Sequence, residues 1–414
     1  MKRAAKTAIF LCFTVLSVGP SAAQAPGNDG TDAPRWGGPD QVENLLRDDA
    51  AVDRPTLFER WFEWKDGLTG EHGFSFSVDY SAVGLGADTS PGEDRSAGGM
   101  IRFFGSWDLV GRGTNNTGAL VWKVEHRHGY TDVAPSAFQF NLGSVGLIEP
   151  PFSDQGPRLT NLYWRQRLNG GRITLMGGFA DATDYVDVYA LASPWTGFSN
   201  FAFSTGTTTL AVPTEGFGLA AGAMLTDQVF IIGGLADLNS DPTEPWRTFG
   251  SFFTDHETFK HIEIGWTPSQ DRIYLDNIHL TLWHADERKD PAQPSGWGAN
   301  LSWTTYLAGK WLPFVRAGWA DGGGSLMQKS VSVGFGYQPN PGKNLLGLGL
   351  NWGEPNKDTW GSELRDQYTA ELFYRWQLSK GIAITPDLQF LVNPALDPDA
   401  DSVWVFGLRL RGAL

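Results

Sequence analysis

At 414 residues the chain has room for two or three soluble domains or for one large closed sheet. Its formal net charge of −14 argues against nucleic acid or anionic phosphate surfaces as partners. With 51 glycines, 18 tryptophans and 26 phenylalanines but only 41% hydrophobic residues, it suits many short two-faced strands joined by polar turns.

In chain order, Lys2, Arg3 and Lys6 precede the apolar run "AIFLCFTVLSV", then Gly19, Pro20 and "SAAQA". Residues 1–23 thus read as a secretory signal peptide, cleaved after Ala23 or Ala25. Its removal takes the charge from −14 to −17 and removes Cys12, the only cysteine. An exported chain without disulfides has to be held by an extensive hydrogen-bonded fold. No other segment approaches the roughly 20 apolar residues of a membrane-spanning helix. Residues 24–72 read as a short N-terminal periplasmic segment, in which "PDQVENLLRDD" and "PTLFERWFEW" each place a proline near a helix start.

From residue 73 the pattern has period two. The clearest case is "QYTAELFYRWQLS", where Tyr368, Ala370, Leu372, Tyr374, Trp376 and Leu378 share one face and polar residues dominate the other. Sixteen strands are expected, near 73–84, 98–110, 117–127, 158–167, 171–181, 216–226, 229–238 and 258–267, then 275–284, 295–307, 311–320, 328–338, 344–352, 366–379, 382–393 and 402–413. Pro386 predicts a bulge or local opening in its ladder. "AFQFNLG" and "FSNFAFSTG" are assigned to the long connections 128–157 and 182–215. Long connections such as "NPALDPDADS" and "GEPNKDTWGSELRD" alternate with short ones such as "SKG", "AGK" and "NGG". Long and short loops at opposite ends of the strands predict an all-β fold: a transmembrane up-and-down antiparallel β-barrel of 16 strands, spanning 73–414.

The segments "FKHIEIGWTPS", "WLPFVRAGWADGGGSLMQKSVSVGFGY", "LLGLGLNWGEP" and "YRWQLSKGIAITPDLQFLVNPALDPDADSVWVFGLRLR" resemble the carbohydrate-selective porins of the OprB family. The resemblance runs from about 73 to 414. It implies a bacterial outer-membrane barrel that admits mono- and small oligosaccharides by diffusion. Its implied partners are carbohydrate solutes, outer-membrane lipid and the barrel-assembly machinery, as a monomer or homotrimer, with no cofactor. Barrels of this kind usually end in an aromatic residue, and this chain ends in Leu414.

The inner face of such a barrel meets water, so charges there need no buried partner. The strand phases point Arg102, Asp108, Lys123, Glu125, Arg172, Glu263, Arg316, Glu371, Arg375, Asp387, Arg409 and Arg411 inward as pore-lining candidates. Inward Phe104, Tyr163, Trp283, Tyr306 and Phe373 offer flat surfaces to sugar C–H faces. The connection 182–215 supplies constriction candidates Asp184, Asp187, Tyr189 and Trp195 if it folds inward, and covers the outer mouth if it does not. Outward Trp107, Trp122, Trp164, Trp266, Trp303, Trp319, Trp352, Trp376 and Trp404 are expected to form girdles at the two lipid interfaces.

Other chemistry reads weakly. His126 and His128 share a strand face without a third metal ligand, and "DPDAD" at 397–401 lacks the glycine and distal glutamate of an EF-hand loop. The alternatives are a general small-solute channel, a barrel-type hydrolase using His256 or His284, and a soluble β-lectin that hides its apolar face in a core.

Overall fold

The structure, a computed structural model, describes residue 46 and residues 59–414 apart from 147, 205–207, 341 and 380. The expected signal peptide and, Leu46 apart, the stretch 24–58 lie outside the described residues. The second expected helix is present as α1 (Glu59–His72). It ends at Gly73, whose φ of +66° turns the chain into the first strand. Trp61 and Trp64 of α1 pack edge-on against Phe76 on the outer wall, at 5.9 and 6.0 Å between ring centres.

The first nine barrel strands are β1 (Phe74–Ala87), β2 (Arg95–Val110), β3 (Thr117–Gly129), β4 (Gly156–Leu168), β5 (Ile173–Ala180), β6 (Gly216–Met224), β7 (Val229–Asp237), β8 (Thr258–Trp266) and β9 (Asn277–Ala285). A two-stranded excursion, β10 (Arg288–Lys289) and β11 (Ala292–Gln293), follows. The barrel resumes with β12 (Gly296–Thr304), β13 (Trp311–Gly322), β14 (Met327–Tyr337), β15 (Leu345–Pro355), β16 (Gln367–Ser379), β17 (Ile382–Val392) and β18 (Ser402–Ala413). Each of these sixteen strands pairs antiparallel with its neighbours, and β1 closes on β18. All sixteen expected strands are present. The two stretches assigned to connections form the short helix α2 (Phe138–Asn141) and a 3-10 turn at Phe201–Phe203.

Strand β9 shows why the sequence alternates as it does. Asn277, His279, Thr281, Trp283 and Ala285 are buried inside, whereas Ile278, Leu280 and Leu282 are exposed outside. Polar residues inside and apolar residues outside invert a soluble protein and match a wall between lipid and a filled lumen. Contiguous outward Ile101, Phe103, Val124, Leu162, Ile262, Val315, Leu372 and Leu408 extend this belt around the barrel. A soluble lectin would have to hide that surface. All nine expected girdle tryptophans lie on the outer phase of their strands.

Closure leaves no strand edge, because Val78 and Leu414 exchange backbone hydrogen bonds of 3.1 and 2.8 Å. At Pro386 the β17–β18 register runs through unbroken, but on the β16 side the pairs for Tyr374 and Arg375 are missing between Phe373↔Asp387 and Trp376↔Ile384. A proline has no N–H to give that ladder, so it opens locally, as expected. Loop lengths depart from strict alternation twice. The connection 323–326 on the long-loop rim has positive-φ Gly324 and is brief, whereas 267–276 on the short-turn rim is extended by a 3-10 turn.

Candidate functional site

The lumen is not an open tube, because the described residues of the connection 181–215 fold into it. Asp181 starts the turn by accepting from Thr183 N at 2.9 Å. Asp187 then accepts from Arg316 Nη2 at 2.6 Å and His279 Nε2 at 2.8 Å, while its own N–H donates to Glu263 at 2.8 Å. Further along, the N–H groups of Ser199 and Asn200 donate to Glu371 at 2.6 and 2.9 Å. Arg409 donates to the carbonyls of Pro194 and Gly197 at 2.6 and 2.8 Å. Inward glycines make room for the apolar part of the loop. A Cβ at Gly349 would lie 2.7 Å from the Phe203 ring, and one at Gly336 would lie 3.0 Å from Leu191. Phe198 packs against Phe373 and Phe314, and Tyr189 against Phe314.

The loop therefore occupies the side of the lumen formed by β8, β9 and β13–β18. Glu263, Trp283, Arg316, Glu371, Phe373, Arg375, Asp387 and Arg409 do face inward, but all are buried, and Glu263, Arg316, Glu371, Phe373 and Arg409 directly grip the loop. Individual strand phases could not show this, since it depends on a segment from elsewhere in the chain. Of the four loop candidates, Asp187, Tyr189 and Trp195 are buried anchors, with Trp195 stacked 3.9 Å from the Arg102 guanidinium. Asp184 instead reaches across to Lys123 Nζ at 3.0 Å and Asn161 at 2.8 Å.

The side formed by β2–β7 is different. Toward the long-loop rim, strands β5–β7 present small inward residues, Gly178 and Ala180, then Gly218, Ala220 and Gly222, then Gly234 and Ala236, whereas Met224, Phe230 and Ile232 nearer the short-turn rim pack into the cluster that holds the loop. Next to this bare wall a cavity is bordered by Tyr163, Arg165, Met176, Asp184, Tyr185, Ile232 and Tyr274. Above it, Glu125 accepts from Arg127 Nε at 2.8 Å, and Arg158 pairs with Glu215. Phe104 lies inward beneath Arg102, 5.0 Å from its guanidinium. Asp79 binds both Arg102, at 2.8 Å, and Arg411, at 2.8 Å.

Two expectations need correction. Arg172 is not in a strand wall but in the turn before β5, paired with Asp227 of the next short turn at 2.7 Å. Tyr306 lies in the turn after β12, where its hydroxyl donates to the Gly309 carbonyl at 2.6 Å. Asp108 keeps its inward phase but sits at the short-turn rim beside Gly73. Sequence reasoning also missed Arg158, Arg165 and Arg167, which share the inner face across an odd spacing. Thr160 is an extra residue where Lys123↔Asn161 is followed by Val124↔Leu159. That bulge shifts the phase by one between Arg158 and Tyr163, and nothing in the local alternation marks it, whereas Arg165 and Arg167 follow Tyr163 on its face by parity alone. Arg127 needed no such help, lying two residues beyond Glu125 on the same face.

Other expectations concern the rims and the outer wall. His126 and His128 lie outward with ring centres 5.5 Å apart, and His128 bonds to the Tyr80 hydroxyl. Among the described residues no three His, Cys, Asp or Glu side chains are placed to hold a metal ion. In the 397–401 stretch Arg365 donates to the carbonyls of Pro394, Asp397 and Ala400, the oxygens a cation would need. His256 is exposed in a loop, and His284 faces outward beside Asp286 at 3.4 Å.

Glu149, in the connection between β3 and β4, is buried beside Arg409 at 3.6 Å. Burial pushes its carboxyl up to about 7 despite that guanidinium. The folded state therefore holds an extra proton between the ordinary 4.5 and about 7. Stability contributed by that proton falls as pH rises through this window and levels off above it. The thermal midpoint in detergent is expected to drop between pH 5 and pH 8, and Glu149→Gln to flatten the drop. Equal slopes for the two proteins would refute this assignment.

Comparison with known proteins agrees with the geometry. Residues 297–414 match the family model described as carbohydrate-selective porin, OprB family. Over 329 residues the chain is 27% identical to Porin AaxA of Chlamydia felis (strain Fe/C-56), covering 73% of this chain and 68% of that protein. The high-pH structure of Pseudomonas putida OprB superposes with a TM-score of 0.69 at 14% identity, over 86% of this chain and 97% of that one. A closed sixteen-stranded barrel with a polar interior and an apolar belt, this chain shares the fold of a solved OprB porin and, over its last seven strands, resembles the carbohydrate-selective porins of the OprB family in sequence.

Proposed function

We propose that sugars diffuse passively through the space between the inward loop and the bare wall of β5–β7, from the long-loop rim to the periplasm. The observation that carries this reading is the cavity where Tyr163, Tyr185 and Tyr274 meet Arg165 and Asp184 opposite Ala220 and Gly222. Tyrosine faces take the C–H faces of a pyranose, while the charged groups exchange hydrogen bonds with its hydroxyls. The small residues opposite, Ala220 and Gly222, project little into that space. Acids and bases of both signs along the path, Lys123 with Asp184 and Glu125 with Arg127, orient hydroxyls without strongly favouring one ion.

Around this channel, we read residues 1–23 as the export signal, 24–72 as a periplasmic segment, and the barrel-assembly machinery as the inserting partner. The lumen roles of Lys123, Glu125, Tyr163 and Asp184 belong to the same proposal. Liposome swelling with a panel of neutral sugars tests it. Swelling rates are expected to depend on sugar stereochemistry at equal mass, and the double change Tyr163→Ala, Tyr185→Ala to erase that dependence while ion conductance rises. Rates that follow solute size alone would replace this reading with a general small-solute channel.

A further inference from the structure

The connection between β7 and β8 contains α3 (Pro245–Thr254), "PWRTFGSFFT". Trp246, Phe249 and Phe253 lie one helical face apart, at i, i+3 and i+7. They are 87%, 50% and 55% exposed, and Trp246 is the most exposed large apolar residue among those described. The orientation is held from the opposite side. Thr248, which is buried, donates to the Asp241 carbonyl at 3.0 Å, and Ser251 donates to the Asp237 carboxylate at the end of β7. A Cβ at Gly216 would meet Thr248 at 3.3 Å, so the helix lies close over the start of β6.

What the aromatic face continues is also visible. Phe217 points outward from β6, and its ring packs against Phe249, Phe252 and Phe253 at 5.0, 4.7 and 5.2 Å. Below it on the same outer face is Leu219, which is exposed. The helix therefore extends the lipid-facing belt beyond the strand ends instead of covering the pore mouth. Exposed aromatics over an apolar wall at the level where strands leave the membrane suit the headgroup and upper acyl layer.

We propose that α3 is an aromatic foot seated in the lipid leaflet at the long-loop rim, with membrane lipid as the partner of Trp246, Phe249 and Phe253. This rests on the barrel spanning a membrane, so pore activity is measured in the same vesicles. In a Cys12→Ser background, Trp246→Cys and, separately, Phe249→Cys carry an environment-sensitive fluorophore in phosphatidylcholine liposomes. Lipids brominated near the headgroup are expected to quench both probes several-fold more than a probe at Asp399→Cys in the loop between β17 and β18. Water-like emission with no lipid quenching, in vesicles that still swell with sugar, would overturn the foot and leave the channel intact. Quenching that appears only at high protein density, between labelled copies, would also overturn it by making a second chain the occupant. Loss of swelling together with loss of quenching would overturn the membrane-spanning reading on which both rest.

Discussion

Replacing Asp79 with alanine is expected to weaken the barrel at its seam more than any other single lumen substitution. Asp79 is buried on the first strand and receives Arg102 of β2 on one side and Arg411 of the last strand on the other. Without it two guanidiniums face each other in a space closed by Trp195. Removing one partner of a buried charge cluster costs about 3–5 kcal/mol. The measurement is gel migration of unboiled samples after stepwise heating, since a closed barrel stays compact until its ladder opens. Asp79→Ala should lose the compact form at a clearly lower temperature, with Asp79→Glu in between. A transition unchanged from the parent would refute the role of this cluster in closure.

Asp187→Ala is expected to free the inward loop. Its carboxylate carries both the Arg316 and His279 contacts, and the residue holds a φ of +54° that aspartate and asparagine adopt more readily than other side chains. Alanine leaves Arg316 and His279 without that acceptor, a loss of about 3–5 kcal/mol for a broken buried pair. In planar bilayers the variant should show a several-fold larger and noisier conductance and little discrimination among sugars. Asp187→Asn, which tolerates the backbone and keeps hydrogen-bonding atoms, should fall between. A quiet channel of parental conductance would show that the loop is held by its apolar contacts with Phe314 and Phe373 alone.

Both predictions use residues whose placement was partly legible. Arg411 and Arg409 sit among apolar residues on the final strand, and the period of two alone puts them opposite Trp404, Phe406, Leu408 and Leu410. That inference holds because a side chain's face in a strand is set by parity. It fails where parity is interrupted, as at Thr160, beyond which Tyr163, Arg165 and Arg167 point inward out of step with Arg158. It also fails beyond strand ends, where Arg172 turns toward Asp227. The aromatic foot went unread for a related reason: "PWRTFGSFFT" has helical spacing, but which side is covered depends on Asp237 and Phe217 in neighbouring strands.

By itself the sequence determined the number of strands, their order and, bulges apart, which face of each is wet, because alternation and loop length are local properties of the chain. Only the tertiary structure decided what each inward residue touches. Arg409 and Arg411 share a face, yet Arg409 grips the Gly197 carbonyl of the loop and Arg411 closes the seam through Asp79. Their partners come from chain segments some two to three hundred residues away, and that distance is bridged by barrel closure and by the glycine recesses that admit the loop, neither of which any short stretch of sequence encodes.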